Sequence, residues 1–283
     1  RVVAPGLENA LGGNVVPVNK PGAGGLLAIN ELSTATPDGT EIAVVNGTGA
    51  ASAVIAEAEG PAFGFDDLSY LGRLAMDDPI LVTQAGGDYE TWEDVASSEG
   101  FRFGSTGRGS SDYILAQTLI EVFDLDDAEV VTGFSGQSEA ELALTQGNVD
   151  AIVGPLDSRR GGIASGEALG VLSFADEAPE EAPEASVLSD LDLDAEQQAT
   201  LEGMRTIIEF GRPLVAPAGL DDDVLDCLQG AVAEAVEDPE ALEQAEQSGL
   251  RLNFLSGVEM ADDIVPAFDE LPQEVHEILE NSY

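Results

Sequence analysis

The chain is poor in cations and in reactive side chains. Among its 283 residues there is one lysine, one cysteine, one histidine and one tryptophan. Lysine and arginine together number 10, against 55 aspartates and glutamates. The lone Cys227, in VLDCLQG, excludes an intrachain disulfide, and it is expected as a small buried apolar side chain on a helix. One histidine and one cysteine cannot assemble a zinc site of the His/Cys kind. His276, in PQEVHEILENSY, lies far along the chain from the serine-rich loops, and no Gly-x-Ser-x-Gly elbow occurs. A serine nucleophile would therefore lack its general base. No apolar run reaches the length of a membrane helix, and no signal peptide is recognisable. The chain opens on RVVAPGLENALGG, which reads as the inside of a helix, so an upstream segment is expected.

What the chain has in excess is carboxylate. The formal net charge is −45, spread along the whole length and not gathered in a tail. Such a surface repels itself and weakens the compact state. Molar salt shortens the screening length to about 3 Å and removes most of that repulsion. The composition is therefore that expected of a protein built for high salt. It also argues against nucleic acid and anionic membranes as partners, because both are polyanions. With 43% hydrophobic residues there is ample material for a core, in one or two domains.

Strand-like and helix-like runs alternate. NVVPVN and EIAVVN are expected as strands, with GGLLAINELSTA as a helix between them. SYLGRLAMDDPILVTQ offers two more strands, and TWEDVASSE a helix capped by Thr91 with Asp94 three residues on. FRFGST, EVVTGF and VDAIVGP are expected strands, interleaved with the helices SSDYILAQTLIEVF and SEAELALTQG. This rhythm predicts a largely parallel sheet covered by helices. The acidic stretch from FADEAPEEAP to ATLEG reads as an exposed loop with a short helix, and RTIIEFGRPLVAPAG as a return to strand. The last third is helical, with Asp221, Asp222 and Asp223 at the positive end of a helix. Asp190, Asp192 and Asp194 share the spacing of a calcium loop. Ala195 and Leu201 stand where that loop needs Gly and Glu, so a solvated acidic loop is the better reading.

Two glycine loops remain. PGAGG, beside the lone Lys20, lacks the Lys-Ser/Thr ending of a phosphate loop, and GSTGRG lacks the Gly-x-Gly-x-x-Gly order. FGSTGRGSSDYILA nevertheless joins a strand, a turn dense in glycine and hydroxyls, and a helix start. Ser105, Thr106, Ser110 and Ser111 are expected there as hydrogen-bond donors, Arg108 adds a charge, and the helix N-terminus favours an anion. The plainer alternative is capping by Ser110 or Ser111.

Three stretches, in order, resemble one family. VNKPGAGGLLAINELSTATPDGTEIAVVN, FRFGSTGRGSSDYILAQTL and LVAPAGLDDDVLDCLQGAVAEAVEDPEALEQAEQSGL are similar to signatures of the tripartite tricarboxylate transporter receptors, the Bug-type extracytoplasmic solute-binding proteins. The resemblance implies an α/β, two-domain, type II periplasmic-binding-protein-like fold of the Venus-flytrap kind, with parallel-rich sheets flanked by helices. It implies a first domain from residues 1–100 and 207–283, a second from 101–206, two crossing strands as hinge and a ligand cleft between the domains. It further implies capture of a small-molecule carboxylate, delivery to the membrane permease subunits, and no cofactor. The place would be the periplasm or outer cell surface, with lipid anchoring through a preceding segment, and the family's first strand and loop are missing here. Residue by residue, the resemblance nominates Ser105, Thr106, Gly107, Gly109 and Ser110 as ligand-binding, with Asn46, Thr48 and Ser52 in NGTGAAS. Ser135 and Gly136 stand, with Phe134 and Gln137, where the family usually reads Pro-Tyr-Lys-Gly, so the usual lysine is lost. Asp150 matches a family aspartate that touches ligand or serves the structure. PGAGG is expected to shape a tight turn and helix start, and Lys20 to pair with a nearby carboxylate. Two rival readings stay open: a ligand-sensing regulatory domain of the same bilobal fold, and a hydrolase using the serine loop.

Overall fold

The computed structural model describes residues 1–20, 22, 25–248 and 250–283. In chain order the elements are α1 (Ala4–Leu11), α2 (Leu26–Ser33), β1 (Ala43–Val44), α3 (Gly47–Ile55), β2 (Leu68–Arg73), β3 (Pro79–Gln84), α4 (Trp92–Ala96), β4 (Arg102–Gly104) and α5 (Ser111–Val122). There follow β5 (Glu129–Val131), α6 (Gln137–Thr145), β6 (Ala151–Pro155), α7 (Leu156–Ser165), β7 (Ala168–Ser173), β8 (Ser186–Val187) and α8 (Ala195–Glu209). The chain ends through β9 (Pro213–Pro217), α9 (Asp222–Glu237), α10 (Pro239–Gln247), β10 (Leu255–Ser256), α11 (Gly257–Glu259) and α12 (Gln273–Asn281).

Two compact units divide it. One holds Arg1–Met76 and Thr206–Leu271, the other Asp77–Arg205 and Pro272–Tyr283. The sequence reading assigned 1–100 and 207–283 to one domain. Here β3 and α4 belong with the second unit, because β3 is hydrogen-bonded along its whole length between β6 and β7. The division at 205/206 falls inside α8, so that crossing is helical.

The first unit is built on a four-stranded sheet of order β1-β9-β2-β10, antiparallel throughout. Over it α9 lays Leu228, Ala231, Val232, Ala235 and Val236, spaced at three and four residues so that they share one face. They meet Leu7 of α1 and Leu71 of β2. Burying a Leu or Val fully contributes about 1.5–3 kcal/mol, so this stripe is a main source of the unit's stability.

The second unit has a six-stranded sheet of order β5-β4-β6-β3-β7-β8. The β4–β5, β4–β6 and β7–β8 pairs are parallel, and β3 runs antiparallel to both neighbours. The fold class is thus the expected α/β with helices flanking the sheets, but the pairing is mixed instead of mostly parallel. Rings close one end: Phe101 lies 4.9 Å from Phe103 and Trp92 4.7 Å from Phe123. Thr91 and Asp94 form the expected reciprocal cap on α4.

Three local expectations are corrected. NVVPVN forms no strand: Pro17 has no N–H to give a ladder, and Val16 and Val18 are exposed. RTIIE is the end of α8 and not strand. That helix starts at Asp194, whose carboxylate accepts from the N–H groups of Glu196 and Gln197 while Gln197 answers on the Asp194 N–H. Leu201, Met204, Ile207 and Ile208 are buried at helical spacing, and that face carries the helix through to Glu209. Cys227 is exposed, since it lies beside and not within the buried stripe of α9. Pro21, Ala23 and Gly24 of PGAGG lie outside the described residues. Gly22 and Gly25 take φ of 140° and 102°, with the Gly25 N–H donating to the Gly22 carbonyl at 2.9 Å. Lys20 pairs with Glu31 at 2.7 Å, which holds its ammonium above the ordinary value.

Candidate functional site

In the second unit, β4 ends at Gly104 and the chain turns through 105–110 into α5. Ser110 is the N-cap, accepting from the Tyr113 N–H at 3.4 Å. Its own hydroxyl hydrogen goes to the Gly107 carbonyl. A hydroxyl has one hydrogen, so in the 3.3 Å contact between Ser110 and Ser105 it is Ser105 that donates. Ser105 also accepts from the Gly107 N–H at 3.2 Å and is fully buried. Thr106 donates through Oγ1 to Asp112 Oδ1 at 3.1 Å and through its N–H to Asp112 Oδ2 at 2.9 Å. Every hydroxyl hydrogen of Ser105, Thr106 and Ser110 is therefore engaged inside the loop. Arg108 donates to the Asn281 carbonyl at 2.9 Å and stands 5.8 Å over the Tyr113 ring, while the Tyr283 hydroxyl donates to the Gly109 carbonyl at 3.3 Å.

Beneath the loop lies a chain of polar groups. Asp112 Oδ2 accepts from Gln137 Nε2 of α6 at 3.2 Å, and Asp112 Oδ1 from the Tyr113 N–H at 3.2 Å. Gln137 Oε1 accepts from Arg159 Nη2 of α7, and Arg159 Nη1 reaches Glu141 at 3.2 Å. Arg159 is 2% exposed, and its burial pushes the guanidinium below its ordinary value while Glu141 and Asp112 oppose that.

In the first unit, Asn46 precedes α3. Its Oδ1 accepts from Arg212 Nη1 at 3.0 Å, and the Gly47 N–H donates to the Gly211 carbonyl at 2.9 Å. A Cβ at Gly47 would stand 2.4 Å from that carbonyl oxygen, so only glycine fits the approach. Thr48 and Ser52, one turn apart on α3, are 1% and 0% exposed, and neither hydroxyl has a partner among the described residues. An unpartnered buried hydroxyl costs about 1–3 kcal/mol, which marks this face as polar by design of the sequence.

With these two loops in place, comparison with known proteins becomes informative. The tripartite tricarboxylate transporter family receptor description matches residues 1–260. The chain belongs to this receptor family. It is 26% identical, over 88% of this chain and 75% of the other, to a UPF0065 protein of Bordetella pertussis. Its fold is that of MatC from Rhodopseudomonas palustris with bound malate, at 21% identity and TM-score 0.71 over 100% of this chain and 92% of the other. A second R. palustris protein, with adipate, shares the fold at 14% identity and TM-score 0.76, over 99% and 91%.

The receptor's other nominated residues are held locally. Asp150 receives Arg102 in a two-point pair, 2.7 Å from Nη2 and 3.0 Å from Nε, and takes the Arg102 N–H at 2.9 Å. Ser135 donates by both N–H and hydroxyl to Glu139, which keeps that carboxyl below its usual range, and Gly136 is the N-cap of α6 in extended conformation. Among the described residues, Ser105 and Ser110 have each other, Gly107 and the Tyr113 N–H as partners. Sequence reasoning missed Asp112, Arg159, Arg212 and Tyr283. Asp112 had one visible signal, a carboxylate in the first turn of a helix. The other three had none, because their partners lie 22, 166 and 174 residues away.

Proposed function

We propose that this receptor captures a small organic carboxylate outside the cytoplasmic membrane and delivers it to the membrane permease subunits of a tripartite tricarboxylate transporter. The observation that carries the reading is the start of α5, a twelve-residue helix whose positive end directly follows the glycine- and hydroxyl-rich turn at 105–110. An anion must approach against a net charge of −45, so attraction at short range has to win. The helix end contributes about 0.3–1 kcal/mol, and hydrogen bonds to a charged group roughly 1.5–3 kcal/mol each. A few of these reach the roughly −8 kcal/mol of micromolar capture. The malate and adipate of the two R. palustris proteins fit the same ligand class.

Calorimetry in molar salt against di-, tri- and aromatic carboxylates tests the reading, with a micromolar binder expected. Replacing Ser105 and Thr106 together by Ala is expected to weaken capture at least tenfold through loss of loop shape, since Ser105 ties Ser110 to Gly107 and Thr106 ties the loop to Asp112. Absence of binding by every carboxylate at millimolar concentration overturns the function. An undiminished double variant moves the site away from this loop.

A further inference from the structure

The loop at 105–110 has a direction as well as a shape, and that direction selects among carboxylates. Arg159 carries only donors, so the Gln137 oxygen must face it and the Gln137 amide N–H must face Asp112. Among the described residues Asp112 then meets four donors: the Thr106 N–H, the Thr106 hydroxyl, the Tyr113 N–H and the Gln137 amide. The Thr106 N–H, the Tyr113 N–H and the Gln137 amide can only donate, so both Asp112 oxygens act as acceptors. The Thr106 hydroxyl is thereby fixed as a donor towards Asp112. Asp112 is 2% exposed, whereas Thr106 is half-buried and keeps open lone pairs.

We infer that Thr106, oriented by Asp112, Gln137 and Arg159, is a specificity-determining residue that accepts a hydrogen bond from the ligand, so that the receptor prefers carboxylates bearing a hydroxyl or ammonium group over their plain counterparts. This rests on the carboxylate-capture reading above. A bare carboxylate or ether oxygen brought to Thr106 Oγ1 meets lone pairs only, and a hydroxyl or ammonium supplies the missing hydrogen. Asp112, Gln137 and Arg159 are positioning residues: they act on ligand through Thr106.

The test is calorimetry in molar salt with pairs differing by one hydroxyl, malate with succinate and citrate with tricarballylate. The hydroxy member is expected to bind about tenfold or more tightly. Thr106→Val keeps the shape and removes the lone pairs, so it should abolish the ratio. Thr106→Ser should restore it, which a merely structural role would not do. Asp112→Asn places an amide N–H against Thr106 Oγ1, frees the hydroxyl hydrogen to donate outwards, and should reverse the preference. Should Asp112→Asn fail to fold, the Thr106 variants decide alone. Equal or tighter binding of the plain member, or a ratio unchanged in Thr106→Val, overturns the inference while leaving carboxylate capture intact. Binding by no carboxylate of any class overturns the capture reading and this inference with it.

Discussion

Gly109 offers a clean test of how the 105–110 loop is held. Its φ is +73°, in the left-handed region, and a Cβ there would stand 2.4 Å from Tyr283 Cε1 and 2.9 Å from Cδ1. Two costs follow for Gly109→Ala. The left-handed backbone costs a residue with a Cβ about 1–2 kcal/mol. The displaced ring adds an overpacking cost, typically about 1–3 kcal/mol. The total expected is about 2–5 kcal/mol. Gly166 separates the two costs, for it has the same φ of +73° and nothing within 4 Å of its Cβ position. Gly166→Ala should therefore cost only the backbone share. Urea melts of both variants, in molar salt, give the difference directly as a shift in midpoint at constant slope. Gly109→Ala in a Tyr283→Ala background should fall to the Gly166→Ala value, because the clash has lost its partner. If Gly109→Ala costs no more than Gly166→Ala in the unaltered protein, Tyr283 does not brace the loop and the reasoning fails.

Two further outcomes follow from charge. Lys20, Arg102, Arg159, Arg160 and Arg205 are already in ion pairs, and 55 carboxylates stand against only 10 lysines and arginines. Raising salt from about 0.1 M to 1 M shortens the screening length from about 10 Å to about 3 Å. If that relieves about 3 kcal/mol of repulsion, the Tm rises by roughly 6–12 °C, and a flat or falling Tm in calorimetric scans contradicts a surface adapted to salt. Asp94 is held below the ordinary carboxylate value, first by the Thr91 hydroxyl and then by the Thr91 N–H. A depressed folded value means stability that is present above the unfolded pKa and lost as pH falls through the folded one. The stability gap between the wild type and Asp94→Asn should be full at neutral pH and close below about pH 4; a gap independent of pH in urea melts would refute the cap's electrostatic role.

Local rules were legible where the physics is local. The α4 cap needed only Thr91 and Asp94, three residues apart, and both were read correctly. The helical character of the last third needed only its own local pattern, although Cys227 was placed on the wrong face. In the first-unit sheet, β1, β2 and β9 were legible as strand-like runs, but their antiparallel pairing was not, and NVVPVN has the composition of a strand without a neighbour to pair with. RTIIE misled for a related reason. Its β-branched residues favour a strand, but the Asp194–Gln197 cap had already set a helix running into it. The family resemblance located the loop at 105–110 and could not say how it is wired.

That wiring is the harder lesson of the site. Four hydroxyls in one loop invite a count of four donors, because the side-chain inventory counts hydrogens and not where they point. Each serine or threonine has one hydrogen, and its direction belongs to the nearest strong acceptor. For Ser110 that acceptor is the Gly107 carbonyl, three residues back and in principle foreseeable as turn chemistry. For Thr106 it is Asp112, whose own state depends on Gln137, 25 residues on, and so on Arg159, 22 residues beyond that. A buried cation therefore decides, through two relays, whether a half-buried hydroxyl offers a ligand its hydrogen or its lone pairs. The polarity of a binding loop is thus a property of the unit that supports it. Reading it from sequence would require the contact between α6 and α7 before any residue of the loop could be given a role.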